Sequence, residues 1–226
     1  MEKKLKAVIT VLVTLLFGAF IVMLKIVDVR PIGPAGTAVG LATVNGWVQN
    51  MLTKLTGLLP VTAETWDKLS DLSLLAALAV AASFGLVGLI QLIRRRSLLK
   101  VSREIIGLGI AYAMAGIVYL AFELYVVNYR PVLEAGQTFP EASFPSSHTV
   151  LAFVILATAV VAWGRLLENH SAIERLLQTV AVLLLIFAVG VRFLSGVHWL
   201  TDIVGGVIAG CAVTSLYSTL VTEPGK

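Results

Sequence analysis

Residues 144–163 read FPSSHTVLAFVILATAVVAW: a proline, two serines and a histidine, then a run to Trp163 in which only Thr149 and Thr158 are polar. A helix of ~20 mainly apolar residues, within a range of about 17 to 25, crosses a bilayer, and the run from Ser147 to Trp163 meets that length. Proline and serine are residues that start helices. His148 therefore stands where a membrane-crossing helix begins. A polar side chain placed there escapes most of the ~2.5–3.5 kcal/mol that a charged group costs at the centre of a span.

The rest of the chain has the same character. Of 226 residues, 58% are hydrophobic and 13% charged, with a mean hydropathy of +0.94. A soluble domain carries about a quarter of its residues charged, so this apolar surface must face lipid. The net charge of +4 and the pI near 9.3 would suit a nucleic-acid partner in a soluble protein. Here the basic residues lie between apolar runs, as in cytoplasmic loops, and no nucleic acid is expected. The single cysteine, Cys211, stands in an apolar run and has no second cysteine for an intramolecular disulfide.

Six spans are expected: Ala7 to Leu24, Leu72 to Ile93, Ile105 to Val127, Ser147 to Trp163, Ile173 to Val191 and Thr201 to Val221. The first follows Lys3, Lys4 and Lys6, as the apolar run of a signal peptide would. It exceeds a usual run of about 7 to 15 residues, and no small-residue cleavage site follows closely, so it is expected to be retained. With the amino terminus inside, Lys3, Lys4, Lys6, Arg94, Arg95, Arg96, Lys100, Arg103, Arg165, Arg175 and Lys226 fall on the inner side, many of them in the loop RRRSLLKVSR at 94–103. That asymmetry places both termini in the cytoplasm of a multi-pass cell-membrane protein.

Between the first two spans, Leu41, Val44, Val48, Met51, Leu52, Leu55, Leu58 and Leu59 recur at helical spacing, interrupted by Asn45, Gln49, Asn50 and Lys54. The pattern predicts an amphipathic helix over 41–59 at the outer interface, anchored by Trp47 and ended by Gly57 and Pro60. It either packs over the bundle or serves as a lid. The expected fold class is all-α, a six-span helix bundle with one interfacial helix, forming a single membrane domain over residues 1–226.

Three polar clusters fall at the outer ends of spans three to six: NYRP at 128–131, FPSSH at 144–148 and VRFLSGVHWLTD at 191–202. Two of the three histidines, His148 and His198, lie in them, whereas His170 sits in a polar inner loop and reads as solvated. His198 and Asp202 are four residues apart, on one face of a helix. A carboxylate at one ring nitrogen fixes the tautomer and leaves the other as nucleophile or base. Arg130 and Arg192 offer planar, permanently charged forks suited to phosphate oxygens. The start of span four adds backbone N–H groups at Ser147 and His148, backed by the positive end of the helix dipole. Together these groups make an anion site that contains a nucleophile. Zinc held by two histidines and an aspartate is the competing account. The arginines oppose it, because they repel a cation, and neither a metal nor a cofactor is expected.

With these residues in view, the chain resembles the type 2 phosphatidic acid phosphatase (PAP2) superfamily, membrane lipid phosphatases that share a catalytic core with vanadium haloperoxidases. The family pattern is K-x6-RP, then PSGH, then SR-x5-H-x3-D. Arg130 and Pro131 match the end of the first motif, and Pro145, Ser146 and His148 match the second. Arg192, His198 and Asp202 match the third with its spacing intact, and the motifs with their helices span about residues 105–221. The chain departs from the pattern with Glu123 at the lysine, Ser147 at the glycine and Val191 at the serine.

The resemblance implies a metal-independent phosphatase. His198 would attack phosphorus to form a phosphohistidine, oriented by Asp202, and His148 would protonate the leaving group and then activate water. Arg130, Arg192, Ser146 and Ser147 would hold the phosphate oxygens. The partners implied are the bilayer and a lipid phosphate or diphosphate, with undecaprenyl diphosphate, phosphatidylglycerophosphate and phosphatidate in the family's range, met at the outer face. Glu123 leaves open an inactive relative that binds lipid phosphate without hydrolysing it. A small anion transporter would need polar groups through the middles of the spans, which are nearly free of charge.

Overall fold

The protein is described by a computed structural model over residues 2–59, 61–133, 136–168 and 170–222. Pro60 and Lys226, expected above to end a helix and to mark the inner face, lie outside the described residues. Among those residues, six helices are long and apolar enough to cross a membrane: α1 (Glu2–Ile26), α3 (Ala63–Arg95), α4 (Arg103–Leu124), α5 (Ser147–Leu166), α6 (Ser171–Leu194) and α7 (Leu200–Val221). The shorter α2 (Ala42–Leu58) lies between the first two. Leu12, Leu15, Leu75, Leu86, Leu183 and Ile186 are exposed on the outside of the bundle, the arrangement expected where lipid replaces water as solvent. The chain is a multi-pass membrane protein.

All six expected spans are present, with shifted ends. α1 takes in Lys3, Lys4 and Lys6. α4 stops at Leu124, because Tyr125 leaves the helical conformation and Val127 turns inward to be buried with Leu24 and Phe144. The largest shift is in α3, which starts at Ala63, nine residues ahead of the expected Leu72. Thr62 caps it: its Oγ1 accepts from the Thr65 N–H at 3.2 Å, and Glu64 in the first turn favours the positive helix end. At ~1.5 Å per residue a helix of 33 residues measures roughly 50 Å, against a hydrocarbon core of about 30 Å. The amino-terminal turns of α3, with Glu64, Asp67, Lys68 and Asp71, form a polar overhang ahead of the apolar run that begins at Leu72.

The expected all-α bundle carries one short hairpin beside its helices. Residues Arg30–Ile32 (β1) and Thr37–Val39 (β2) form an antiparallel hairpin, whose turn uses positive φ at Gly33 and Gly36. Gly33 also lies against the indole of Trp199, which an added Cβ would meet at 3.2 Å.

The expected interfacial helix is α2, and it is packed down. Trp47 is 66% exposed, whereas Asn45, Val48 and Leu52 form a buried face. Asn45 Oδ1 accepts from the Thr201 N–H at 3.2 Å and its Nδ2 donates to Thr201 Oγ1 at 2.9 Å; Gln49 Nε2 donates to Gly196 O at 2.9 Å. Two residues that break the apolar pattern thus bind the segment leading into α7.

α5 is the most enclosed span and α1 the least. α5 meets α7 through small residues: a Cβ on Gly206 would stand 2.8 Å from Thr149 Cβ, and one on Gly210 would stand 2.7 Å from the Phe153 side chain. Such a small-x-x-x-small face lets two helix backbones approach closely. The approach sets the amino ends of α5 and α7, with His148 and Asp202, side by side. The opposite face holds the first turns of α1 and the end of α7, where Lys6 Nζ donates to Thr222 Oγ1 at 3.1 Å.

Candidate active site

Five pieces of chain meet at the face away from Lys6 and Thr222: the loop after α4, the amino ends of α5 and α7, the carboxy end of α6 and the overhang of α3. The loop is closed by an antiparallel bridge between Tyr129 and Ala142, in which the Arg130 N–H donates to Glu141 O and the Ser143 N–H to Asn128 O, both at 2.9 Å. This presents the Arg130 side chain, whose Nη2 lies 3.2 Å from Glu141 Oε2.

Asp202 is fully buried in the first turn of α7. Its Oδ2 accepts from the Trp199 N–H and its Oδ1 from Asn128 Nδ2, each at 3.0 Å. Nδ1 of His198 stands 3.6 Å from Oδ2, beyond hydrogen-bond length but within Coulombic reach. Nε2 of His198 is 3.0 Å from Arg192 Nη2. A guanidinium has donors and no acceptor, so Nε2 is the acceptor and the ring proton sits on Nδ1, toward Asp202. That is the tautomer in which Nε2 is nucleophilic. Burial pushes the His198 pKa down to about 4, with Asp202 pulling the other way and the Arg192 charge lowering it further. The ring is neutral at pH 7.

Arg192 is only 3% exposed, and a buried guanidinium needs a counter-charge. Asp67 supplies one from α3, with Oδ1 2.7 Å from Arg192 Nη1. One turn further along α3, Asp71 Oδ1 lies 3.0 Å from His148 Nε2. Sequence reasoning missed both aspartates, because the stretch TWDKLSD reads as polar loop to a hydropathy scan. The signals that were available are the capping Thr62 and the four-residue spacing of the two acids. It also missed Glu141 as the partner of Arg130, and Asn128 as a donor to Asp202.

A cavity of about 100 Å³ opens at this face, lined by Glu123, Arg130, Glu141, Ser147 and His198 together with aromatic residues of α4 and the following loop. Ser146 stands behind the wall. It is fully buried, its Oγ accepts from Thr149 Oγ1 and its N–H donates to Asp202 O, both at 3.1 Å. It therefore ties the start of α5 to α7 and does not face the cavity. Glu123, at the last turn of α4, does face it. His170 is exposed at the start of α6, away from the site. Among the described residues, no three His, Cys, Asp or Glu side chains group as metal ligands.

The family model of the PAP2 superfamily matches residues 104–225, more than half of the sequence, and the chain belongs to that superfamily. Its fold is similar to that of a solved structure, the "first transmembrane PAP2 type phosphatidylglycerolphosphate phosphatase" of Bacillus subtilis, with a TM-score of 0.65 over 92% of this chain and 93% of that one. The two are 15% identical, so the likeness speaks for the fold alone. A comparison with curated proteins gives no match.

Proposed function

We propose that the chain is an integral membrane phosphatase that removes the terminal phosphate of a lipid phosphate or diphosphate through a phosphohistidine. Nε2 of His198 attacks phosphorus and the bond to the leaving oxygen breaks, while His148 supplies that oxygen with a proton. In the second step His148 takes a proton from water, the oxygen of that water displaces His198 from phosphorus, and inorganic phosphate leaves. Arg130, Arg192, the Ser147 hydroxyl and the N–H groups at the start of α5 hold the equatorial oxygens as charge redistributes, the kind of interaction that usually contributes most to such reactions. Asp202 keeps the His198 proton on Nδ1, and Ser146 contributes by fixing the two helix ends.

The observation that carries this proposal is the 3.0 Å contact of His198 Nε2 with Arg192 Nη2, in which Nε2 must be the acceptor, together with the His198 side chain on the cavity shared by Arg130 and Ser147. The distribution of lysine and arginine supports cytoplasmic termini and a site at the outer face. The name of the Bacillus subtilis neighbour makes glycerolipid phosphates the first substrates to try, beside isoprenoid diphosphates. In detergent micelles, purified chain is expected to release inorganic phosphate from such lipids with chelator present, and His198→Ala is expected to abolish release. Activity that requires added metal, or that survives His198→Ala, overturns the proposal.

A further inference from the structure

The reaction proposed above asks His148 to carry a proton and then give it up, yet much of its surroundings oppose a positive ring. Arg192 from α6 acts on it electrostatically, and the amino end of α5, positive by the helix dipole, lies directly beneath it. The charges that favour an imidazolium come from α3: Asp71, at 3.0 Å from Nε2, and Asp67 one turn away. Across Arg192, His198 is neutral, and the Asp202 carboxylate is already engaged by Asn128 and Trp199. The two imidazoles are thus each provided with an aspartate, one from α7 and the other from the overhang of α3.

We propose that Asp71 is the positioning residue of His148, forming with it a second histidine–carboxylate pair, so that the overhanging turns of α3 belong to the reaction centre. The residues matched by the family model begin at 104, well after α3, so the pair is not contained in the family's three motifs. With Nε2 engaged by Asp71, Nδ1 is the ring nitrogen left to exchange a proton with the leaving group and with water. The carboxylate holds the ring in place and stabilises its protonated form, as a neighbouring opposite charge does. Asp67 completes the arrangement by holding Arg192 from the same helix face. The catalytic part of this inference rests on the phosphatase reading; the pair itself does not.

Two measurements test it. The chain has three histidines, so ring resonances of isotopically labelled histidine in micelles are assignable with His170→Asn and His198→Asn. The titration midpoint of His148 is expected to move to lower pH in Asp71→Asn, and to return most of the way in Asp71→Glu. In turnover assays, Asp71→Asn is expected to lower kcat at pH 7 by about tenfold or more, part of what general acid–base catalysis contributes. KM should stay within about twofold, and the alkaline limb of the pH profile should shift to lower pH. A His148 midpoint unmoved by Asp71→Asn overturns the pair. A uniform loss of activity at every pH, with a lowered melting temperature, shows a merely structural carboxylate and overturns the positioning role. A midpoint that moves in a chain whose wild type hydrolyses no lipid phosphate supports the pair and overturns the phosphatase reading instead.

Discussion

Arg192 Nη2 and His198 Nε2 share a 3.0 Å contact, and that contact holds only while the imidazole is neutral. Protonation would set two cations against each other in a buried place. The pKa pushed down to about 4, against an ordinary ~6.5, expresses the cost of burying that charge. In the proposed mechanism the neutral ring is the nucleophile, so kcat/KM, referred to the ionised form of the substrate, is expected to be sustained from neutral pH down to about 5 and to fall only as pH drops through about 4. The check is kcat/KM on a soluble short-chain lipid phosphate between pH 3.5 and 8. Once the substrate phosphate's own second ionisation, ordinarily at ~6, is accounted for, an acid limb centred near 6.5 contradicts the buried, neutral ring.

The relative placement of His148 and Asp202 depends on Gly206, where an added Cβ would meet Thr149 Cβ at 2.8 Å. Gly206→Ala must push α5 and α7 apart, and a displacement of about 1 Å at a reacting centre can cost 10²-fold in rate. A loss of tenfold to hundredfold in kcat is expected, with the protein still inserted and monodisperse in detergent. Gly109→Ala, where an added Cβ meets nothing within 4 Å, is the control and should leave kcat unchanged. Equal effects from the two substitutions would contradict a role for the close approach.

What the sequence made legible follows from which signals are local. Long apolar runs announce spans because lipid demands them, and the motif residues Arg130, His148, Arg192, His198 and Asp202 were identifiable from residue type and spacing. Asp67 and Asp71 were hidden because the overhang of α3 is polar, and a polar stretch at a span's end carries no hydropathy signal. Ser146 was assigned to phosphate because it shares a motif with His148; only the geometry shows its hydroxyl turned into the helix toward Thr149. The hairpin at 30–39 was missed although Gly33 and Gly36 punctuate it, since strands of three residues are too short to show alternation. Gly206 and Gly210 were legible as a packing motif and went unread beside the polar residues.

Glu123 faces the same cavity as Arg130 and His198, and it stands where the family pattern has lysine. A carboxylate there repels a phosphate dianion, and Glu141 adds a second acid beside Arg130. Glu123→Lys reverses one of these charges, and is expected to lower KM for a lipid phosphate by about tenfold, or ~1.4 kcal/mol, with the larger gain on diphosphates. The measurement is KM for a monophosphate and a diphosphate of the same lipid tail. A wild type silent on every lipid phosphate, with an active Glu123→Lys, would establish the inactive lipid-binding relative in place of the phosphatase.

Asn45 is fully buried in α2 and satisfies both the N–H and the hydroxyl of Thr201, in the turn that carries Asp202 and follows His198. Asn45→Leu removes those partners inside a closed interface, where an unsatisfied polar group costs ~1–3 kcal/mol. The melting temperature in detergent is expected to fall by several degrees, and kcat to drop severalfold as the 196–201 segment loosens, with KM little changed. Asn50, exposed on the opposite face of the same helix, provides the comparison: Asn50→Leu should alter neither quantity. If Asn45→Leu lowers the melting temperature and leaves kcat intact, α2 is a brace for the bundle alone. If it leaves both intact, the contact between α2 and α7 is not an anchor of the site at all.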